Sequence, residues 1–490
     1  MRIEASFHDS ARPSRWTLLL LFVLTVAPIR AQERFRRSPP FPNPLPKLAL
    51  PAIRSTVLSN GLGLSVVQKE NHPLVNLNLI IMAGESASPD ELPGVATFTA
   101  RMLDKGLLDI SANRIHETIE SYGGSFSAEV HQDYTIFSLS FLENYLDDAL
   151  DLLSRMVREP LFNRREIDNV QRVLFYDIEY KMRDPEFIAK HVLYKILFKD
   201  HPYKKMAIDN DAFKNFNRRH LTTFYNTYYK PNNAHLILVG KLNLAAATRK
   251  ISRHFSTWSR GEVKRAIMPP PKDLESTRIC FVNQPKAKDT AILIGFTVPS
   301  INSADAFPLI VLNQVLGGTP NSRLFMNLRE SKGYAYYAFS SVDLFKNCGL
   351  FTLRSRVRPE VSYAAIRESL REIERIVNLP IPNHELEQAK SYLIGNFPLT
   401  IHSMSSFINR ISTIRAYNLS EAFWNQYYEN IMLINSGTVF QTARRTLGKN
   451  AVVMIVGDIY TISDQLRDFQ VEVYDPHGDL QYIINKGAVE

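Results

Sequence analysis

The run Asn233-Ala234-His235-Leu236-Ile237-Leu238-Val239-Gly240 returns in kind as Asn450-Ala451-Val452-Val453-Met454-Ile455-Val456-Gly457. Each is an apolar, buried-strand run closed by glycine and followed by a helical pattern. Pro160-Leu161-Phe162-Asn163-Arg164-Arg165-Glu166 likewise has a counterpart in Pro380-Ile381-Pro382-Asn383-His384-Glu385, an acidic helix start just after a helix-ending proline. Val239 and Val456 are 217 residues apart, and Pro160 and Pro380 are 220 apart. Two separated matches at nearly one offset imply an internal duplication. The fold must then be two like halves, which suits a chain of 490 residues, too long for one ordinary core.

The elements of each half predict an α+β class. Leu142, Tyr145, Leu146, Ala149, Leu150, Leu153, Met156 and Val157 recur at helical spacing, and Pro160 ends the pattern. Asn60-Gly61 is a hairpin-like turn between extended runs. Leu77 to Met82 and Tyr134 to Leu139 read as strands. Each half is expected to be an antiparallel-rich sheet with helices packed on it. Proline sets the punctuation, with Pro39, Pro40, Pro42, Pro44 and Pro46 in one stretch and Pro269, Pro270 and Pro271 in another. The expected organisation is a leader over residues 1–31, an extended arm over 32–51, one domain over 52–262, a linker over 263–273 and a second domain over 274–490.

The leader rests on Arg2, Arg12 and Arg15, the apolar run Trp16 to Ala27, and the small residue Ala31 at the exit. That is the pattern of a secretory signal peptide, and the apolar run is too short for a bilayer span of about 20 residues. Export to periplasm or medium is the expected destination, with no stable membrane anchor. The formal net charge of +9 raises a nucleic-acid reading. It fails because acids are interleaved with the bases and no basic stripe alternates with aromatics. Cys280 and Cys348 lack metal-site spacing; they are a pair in an oxidising compartment or, more commonly, independent buried thiols.

The chemistry should lie where an extended run, Met82-Ala83-Gly84-Glu85-Ser86, leads through Pro89-Asp90-Glu91 into Gly94-Val95-Ala96-Thr97-Phe98-Thr99-Ala100-Arg101-Met102-Leu103-Asp104-Lys105-Gly106. This segment resembles the M16 family of zinc metallopeptidases, whose pattern here is Gly-x-Ala-His-x-x-Glu-His-Met-Leu-x-x-Gly. Ser121 to Gly124, Asp133-Tyr134, Arg158-Glu159-Pro160, Asp184-Pro185, His201-Pro202-Tyr203 and the two closing Val-Gly pairs follow in family order. The resemblance implies two homologous domains forming a half-clamshell.

At the decisive positions the chain departs from that pattern. The first His corresponds to Thr97, the Glu to Ala100 and the second His to Arg101, while the distal Glu ligand corresponds to Asp177, with Glu179 as the rival register. Catalytic zinc takes about three His or carboxylate ligands and one open position. Thr97 is a poor neutral ligand, Ala100 has no group to accept a proton, and Arg101 has no lone pair and repels a dication. No two histidines are spaced i and i+4, and His116-Glu117-x-x-Glu120 lacks the second His and reads as an exposed helix face. No metal is therefore expected in this chain, and any zinc is expected in a partner.

The second half keeps more. The stretch from Leu316 to Tyr336 reads as the glycine turn Gly317-Gly318, a short helix, a Gly333 C-cap and entry into a strand. It resembles the family's Leu-Arg-Glu-x-x-Gly-x-Ala-Tyr signature. The resemblance implies that Arg329 and Tyr336 grip substrate backbone near a zinc ion, with Tyr334 the alternative in a shifted register. Both are donors suited to a scissile carbonyl. In the family two double-domain units face each other across a chamber. The expectation is a non-catalytic subunit of an exported heterodimeric metallopeptidase, bringing Arg329 and Tyr336 to a partner's zinc site on an extended peptide. Such peptides usually bind by strand addition, and the segment Ser125 to His131 is read here as structural only. The rivals are an assembly protein on the same fold, which has no need of Arg329 and Tyr336, and a solo peptidase with unusual ligands.

Overall fold

The computed structural model describes residues 51–485 except 70–72, 207, 209, 215, 265–267 and 402. These fall in one compact unit, Lys47–Glu490. The leader and, but for Pro51, the proline-rich arm lie outside the described residues.

Two sheets are built. The first contains β1 (Ile53–Val57), β2 (Gly63–Gln68), β3 (Leu74–Ile81), β4 (Ser125–Val130), β5 (Thr135–Leu142) and β6 (Ala234–Gly240), in the order β1-β2-β6-β3-β5-β4. The second contains β7 (Arg278–Asn283), β8 (Thr290–Val298), β9 (Ala335–Leu344), β10 (Gly349–Val357), β11 (Val452–Gly457), β12 (Val471–Tyr474) and β13 (Leu480–Ile484), in the order β13-β12-β7-β11-β8-β10-β9. The duplication is now geometric, because β2-β6-β3-β5-β4 maps strand for strand onto β7-β11-β8-β10-β9. In both, the first pair is parallel and the other three are antiparallel. The Asn60-Gly61 turn closes the β1–β2 hairpin, with Gly61 at φ +87°.

The helices used below are α1 (Val95–Arg101), α2 (Ala112–Ser121), α3 (Leu146–Arg158), α4 (Arg164–Lys181), α5 (Pro185–Leu197), α6 (Asn210–Lys214), α7 (Ala306–Leu316), α8 (Ser362–Asn378), α9 (Asn383–Thr400) and α10 (Met404–Tyr417). Two residues of the predicted helical run, Leu142 and Tyr145, fall outside the helix. Leu142 pairs with Leu74 at the end of β5, and α3 starts only after a short 3-10 turn. Helical spacing had run across a strand–helix junction.

Both central strands, β6 and β11, are apolar along nearly their whole length, so each sheet must be covered on both faces. Each half covers one face with its own helices. For the other face the halves exchange helices. Helix α5, from the first half of the sequence, buries Ile188, Val192 and Leu193 with Cys280, Leu293 and Met454 of the second sheet. Helix α10, from the second half, buries Phe407, Ile408 and Ile411 with Ile80, Ile136 and Ile237 of the first. At about 1.5–3 kcal/mol per buried large apolar side chain, this exchange locks the halves together.

Cys280 and Cys348 are free thiols buried in the α5 interface. Burial pushes each up to about 12, leaving both as poor nucleophiles. Among the described residues no helix is long and apolar enough to cross a membrane.

Candidate functional site

Helix α1 enters from Gly94, whose φ of +92° no side-chain-bearing residue adopts cheaply. A Cβ there would also meet Ile208 and Phe213 at 3.0 Å. The N-terminus of α1 is capped by a carboxylate from far back in the loop. Glu85 Oε1 accepts from the Gly94 amide (2.6 Å) and Ser88 Oγ (2.7 Å). Glu85 Oε2 accepts from the Thr97 amide (3.2 Å) and Thr97 Oγ1 (2.8 Å). Glu85 is 1% exposed, and burial raises its pKa while these four hydrogen bonds pull it down. Beneath it Lys205, also buried, pairs with Asp90 at 3.0 Å and donates to the Ser88 carbonyl, pinning the loop.

The predicted residues at this place point in different directions. Thr97 turns inward, its hydroxyl spent on Glu85. Ala100 is buried, and Arg101 is exposed at the last turn of α1. Helix α4 packs beside α1. On it Asp177 is exposed and pairs with Lys181 at 2.7 Å. Glu179, two residues on and roughly 200° around the helix, instead accepts from the side-chain amide of Asn210 on α6. His116 of α2 pairs with Asp104 at 3.2 Å and Glu117 with Arg114 at 3.2 Å, so this stretch is a surface-paired helix face.

In the second half the short helix is a π-helix, Phe325–Ser331. The Lys332 amide donates to the Asn327 carbonyl five residues back, at 3.0 Å. The wide turn is held from outside. Asn327 donates to Glu368 (3.1 Å) and to buried Glu372 (2.9 Å), both on α8, and Arg323 pairs with Glu385 of α9 at 2.7 Å. Arg329 is half exposed, its guanidinium lying 4.8 Å over the Phe325 ring. Its nearest acid is its neighbour Glu330 at 3.8 Å, a loose contact that leaves the donors free for another partner.

Gly333 ends the π-helix at φ +63° and the chain enters β9, the edge strand of its sheet. Against β10, Ala335 faces Val357 and Tyr337 faces Arg356, so Tyr336 is the extra residue of a β-bulge. Bulges re-aim side chains, and Tyr336 is 58% exposed. Tyr334 packs partly buried against the second core. The exposed donor is therefore at 336. Gly317 and Gly318 sit tightly on Ser340 and Gln314 as a structural turn. The segment Ser125 to His131 carries β4, the edge strand of the first sheet, alternately exposed and half-buried.

Two family models match in tandem. The one described as Insulinase (Peptidase family M16) takes residues 65–211, and Peptidase M16 inactive domain takes residues 215–393. The chain belongs to the M16 peptidase family. An uncharacterized zinc protease of Rickettsia bellii is 25% identical over 405 residues, covering 82% of this chain and 96% of that one. Another of Mycobacterium bovis is 27% identical over 384 residues, covering 77% and 85%. Among solved structures, the M16 inactive domain from Pseudomonas fluorescens superposes with a TM-score of 0.77 at 22% identity, covering 83% of this chain and 98% of that one. A protease from Helicobacter pylori gives 0.77 at 19%, covering 84% and 100%. These two establish the M16 fold.

The zinc ion that the family implies does not fit the residues present in this M16 chain. The only hydroxyl at the ligand positions donates to Glu85, the middle position is a methyl, and the third is a cation. Among the described residues no three His, Cys, Asp or Glu side chains are grouped to hold a metal. Sequence reasoning missed Glu85. A carboxylate nine residues ahead of a helix start was the only signal, and its role appears once the loop is folded.

Proposed function

We propose that this chain is the zinc-less subunit of an exported heterodimeric M16-type metallopeptidase. It closes the chamber and brings Arg329 and Tyr336 to an extended peptide at a partner's zinc site. The observation that carries the reading is a contrast in exposure. The donors suited to a substrate carbonyl stand exposed on a braced π-helix and a bulge, while the hydroxyl at the first ligand position is consumed inside the protein. The guanidinium and the phenol both donate hydrogen bonds, so they orient and polarise a carbonyl without a metal of their own. A zinc ion held by the partner would supply the activated water.

Mixing the purified chain with a zinc-bearing M16-type subunit should give peptide cleavage that neither gives alone. Arg329→Ala should lower the kcat of the mixture roughly 10²–10³-fold, the loss typical of one such donor, and Tyr336→Phe should lower it by a similar or smaller factor. Mixed activity untouched by both variants contradicts the assigned role.

A further inference from the structure

The two exposed donors share one brace, and it begins in the other half of the sequence. Tyr337, the residue after the bulged Tyr336, donates its hydroxyl to Glu186 Oε2, while Arg354 Nη1 of β10 donates to Glu186 Oε1 at 2.9 Å. The Arg354 guanidinium lies 5.9 Å over the Tyr337 ring, closing a three-membered lock. Glu186 is fixed in turn at the first turn of α5, where its amide donates to the N-cap side chain of Asp184 at 3.3 Å. From Tyr337 an aromatic ladder runs onward. Its ring stacks on Phe339 (6.3 Å, 15°), Phe339 meets Phe325 (5.3 Å, 36°), and the Arg329 guanidinium rests on Phe325.

We infer that Glu186 is a positioning residue for both donors, holding Tyr336 through the bulge and Arg329 through the Tyr337–Phe339–Phe325 ladder. This rests on the proposed role of Arg329 and Tyr336, but the brace itself does not. It also gives the helix exchange a function, since α5 carries a first-half carboxylate to the strand that presents second-half donors. Donor alignment matters at this scale, because misplacement by about 1 Å can cost up to ~10²-fold in rate.

The test has two arms on the full chain. In Glu186→Gln, amides 335–337 and 356–357 should exchange with deuterium roughly tenfold faster, with the melting temperature little changed. Tyr337→Phe should do the same. In the mixture with a zinc-bearing subunit, Glu186→Gln should lower kcat roughly tenfold and leave KM in place, and the unchanged melting temperature separates this from a loss of folded chain. Unchanged exchange at the bulge overturns the brace whether or not the mixture is active. Faster exchange with unchanged kcat, in a mixture that Arg329→Ala does impair, overturns the positioning role. If no mixture cleaves peptide, wild type included, the proposed function fails, and the exchange arm still decides the brace.

Discussion

Residues 94–106 and residues 316–336 each run through a glycine-flanked turn and a short helix, and the two have opposite fates. In the first, the side chains at the chemically decisive positions are turned into the protein or replaced by groups that bind no metal. Thr97 serves as part of a capping network, and its partner Glu85 is nearly inaccessible. In the second, the fold holds a π-helix followed by a bulge and leaves the donors of Arg329 and Tyr336 exposed. Wide helical turns and bulges persist where neighbours over-determine them. Here those neighbours are Glu368, Glu372, Glu385 and Glu186. The first segment is tied into the protein and the second leaves its polar groups in solvent, so the same kind of substitution should act differently in each.

The largest stability effect is expected from Glu85→Ala, which strips four donors of their acceptor at a buried helix start. A loss of about 1–3 kcal/mol should appear in urea unfolding. A loss below ~0.5 kcal/mol would mean that the capping network does not explain the retention of this segment. Asn327→Ala comes next. It frees the π-helix from α8 and should cost about 1 kcal/mol, with faster amide exchange confined to residues 325–332. Smallest of all, Tyr336→Phe should stay within about 0.5 kcal/mol of wild type, and Arg329→Ala, which gives up only an exposed cation–π contact on Phe325, within about 0.5–1 kcal/mol. A large destabilisation by either would return these residues to a structural role and dissolve the contrast.

The sequence disclosed the duplication because β6 and β11 are buried on both faces and closed by glycine, a pattern that survives divergence. What residues 97, 100 and 101 offer a metal is read from residue identity alone, since a methyl and a guanidinium are no ligands in any fold. Other features were hidden for physical reasons. Apolar spacing could not say that α5 covers the second sheet and α10 the first, since an amphipathic pattern does not name its partner. A π-helix differs from an α-helix by one residue per hydrogen bond, which periodicity over seven residues does not resolve. The bulge at Tyr336 depends on strand register, and the Glu85 cap and the Glu186 brace depend on contacts made only in the folded chain. Sequence favours Asp177 over its rival Glu179 by register alone, and their different positions around α4, one paired with Lys181 and the other with Asn210, appear only in the folded chain.

The role proposed for this chain requires residues 94–106 to be a scaffold without a metal site. Zinc content, measured on the purified chain after chelator washing and re-equilibration with stoichiometric zinc, tests it most directly. No more than trace zinc should be retained per chain through a desalting step. One tightly held equivalent of zinc, lost on substitution of Asp177, would contradict it.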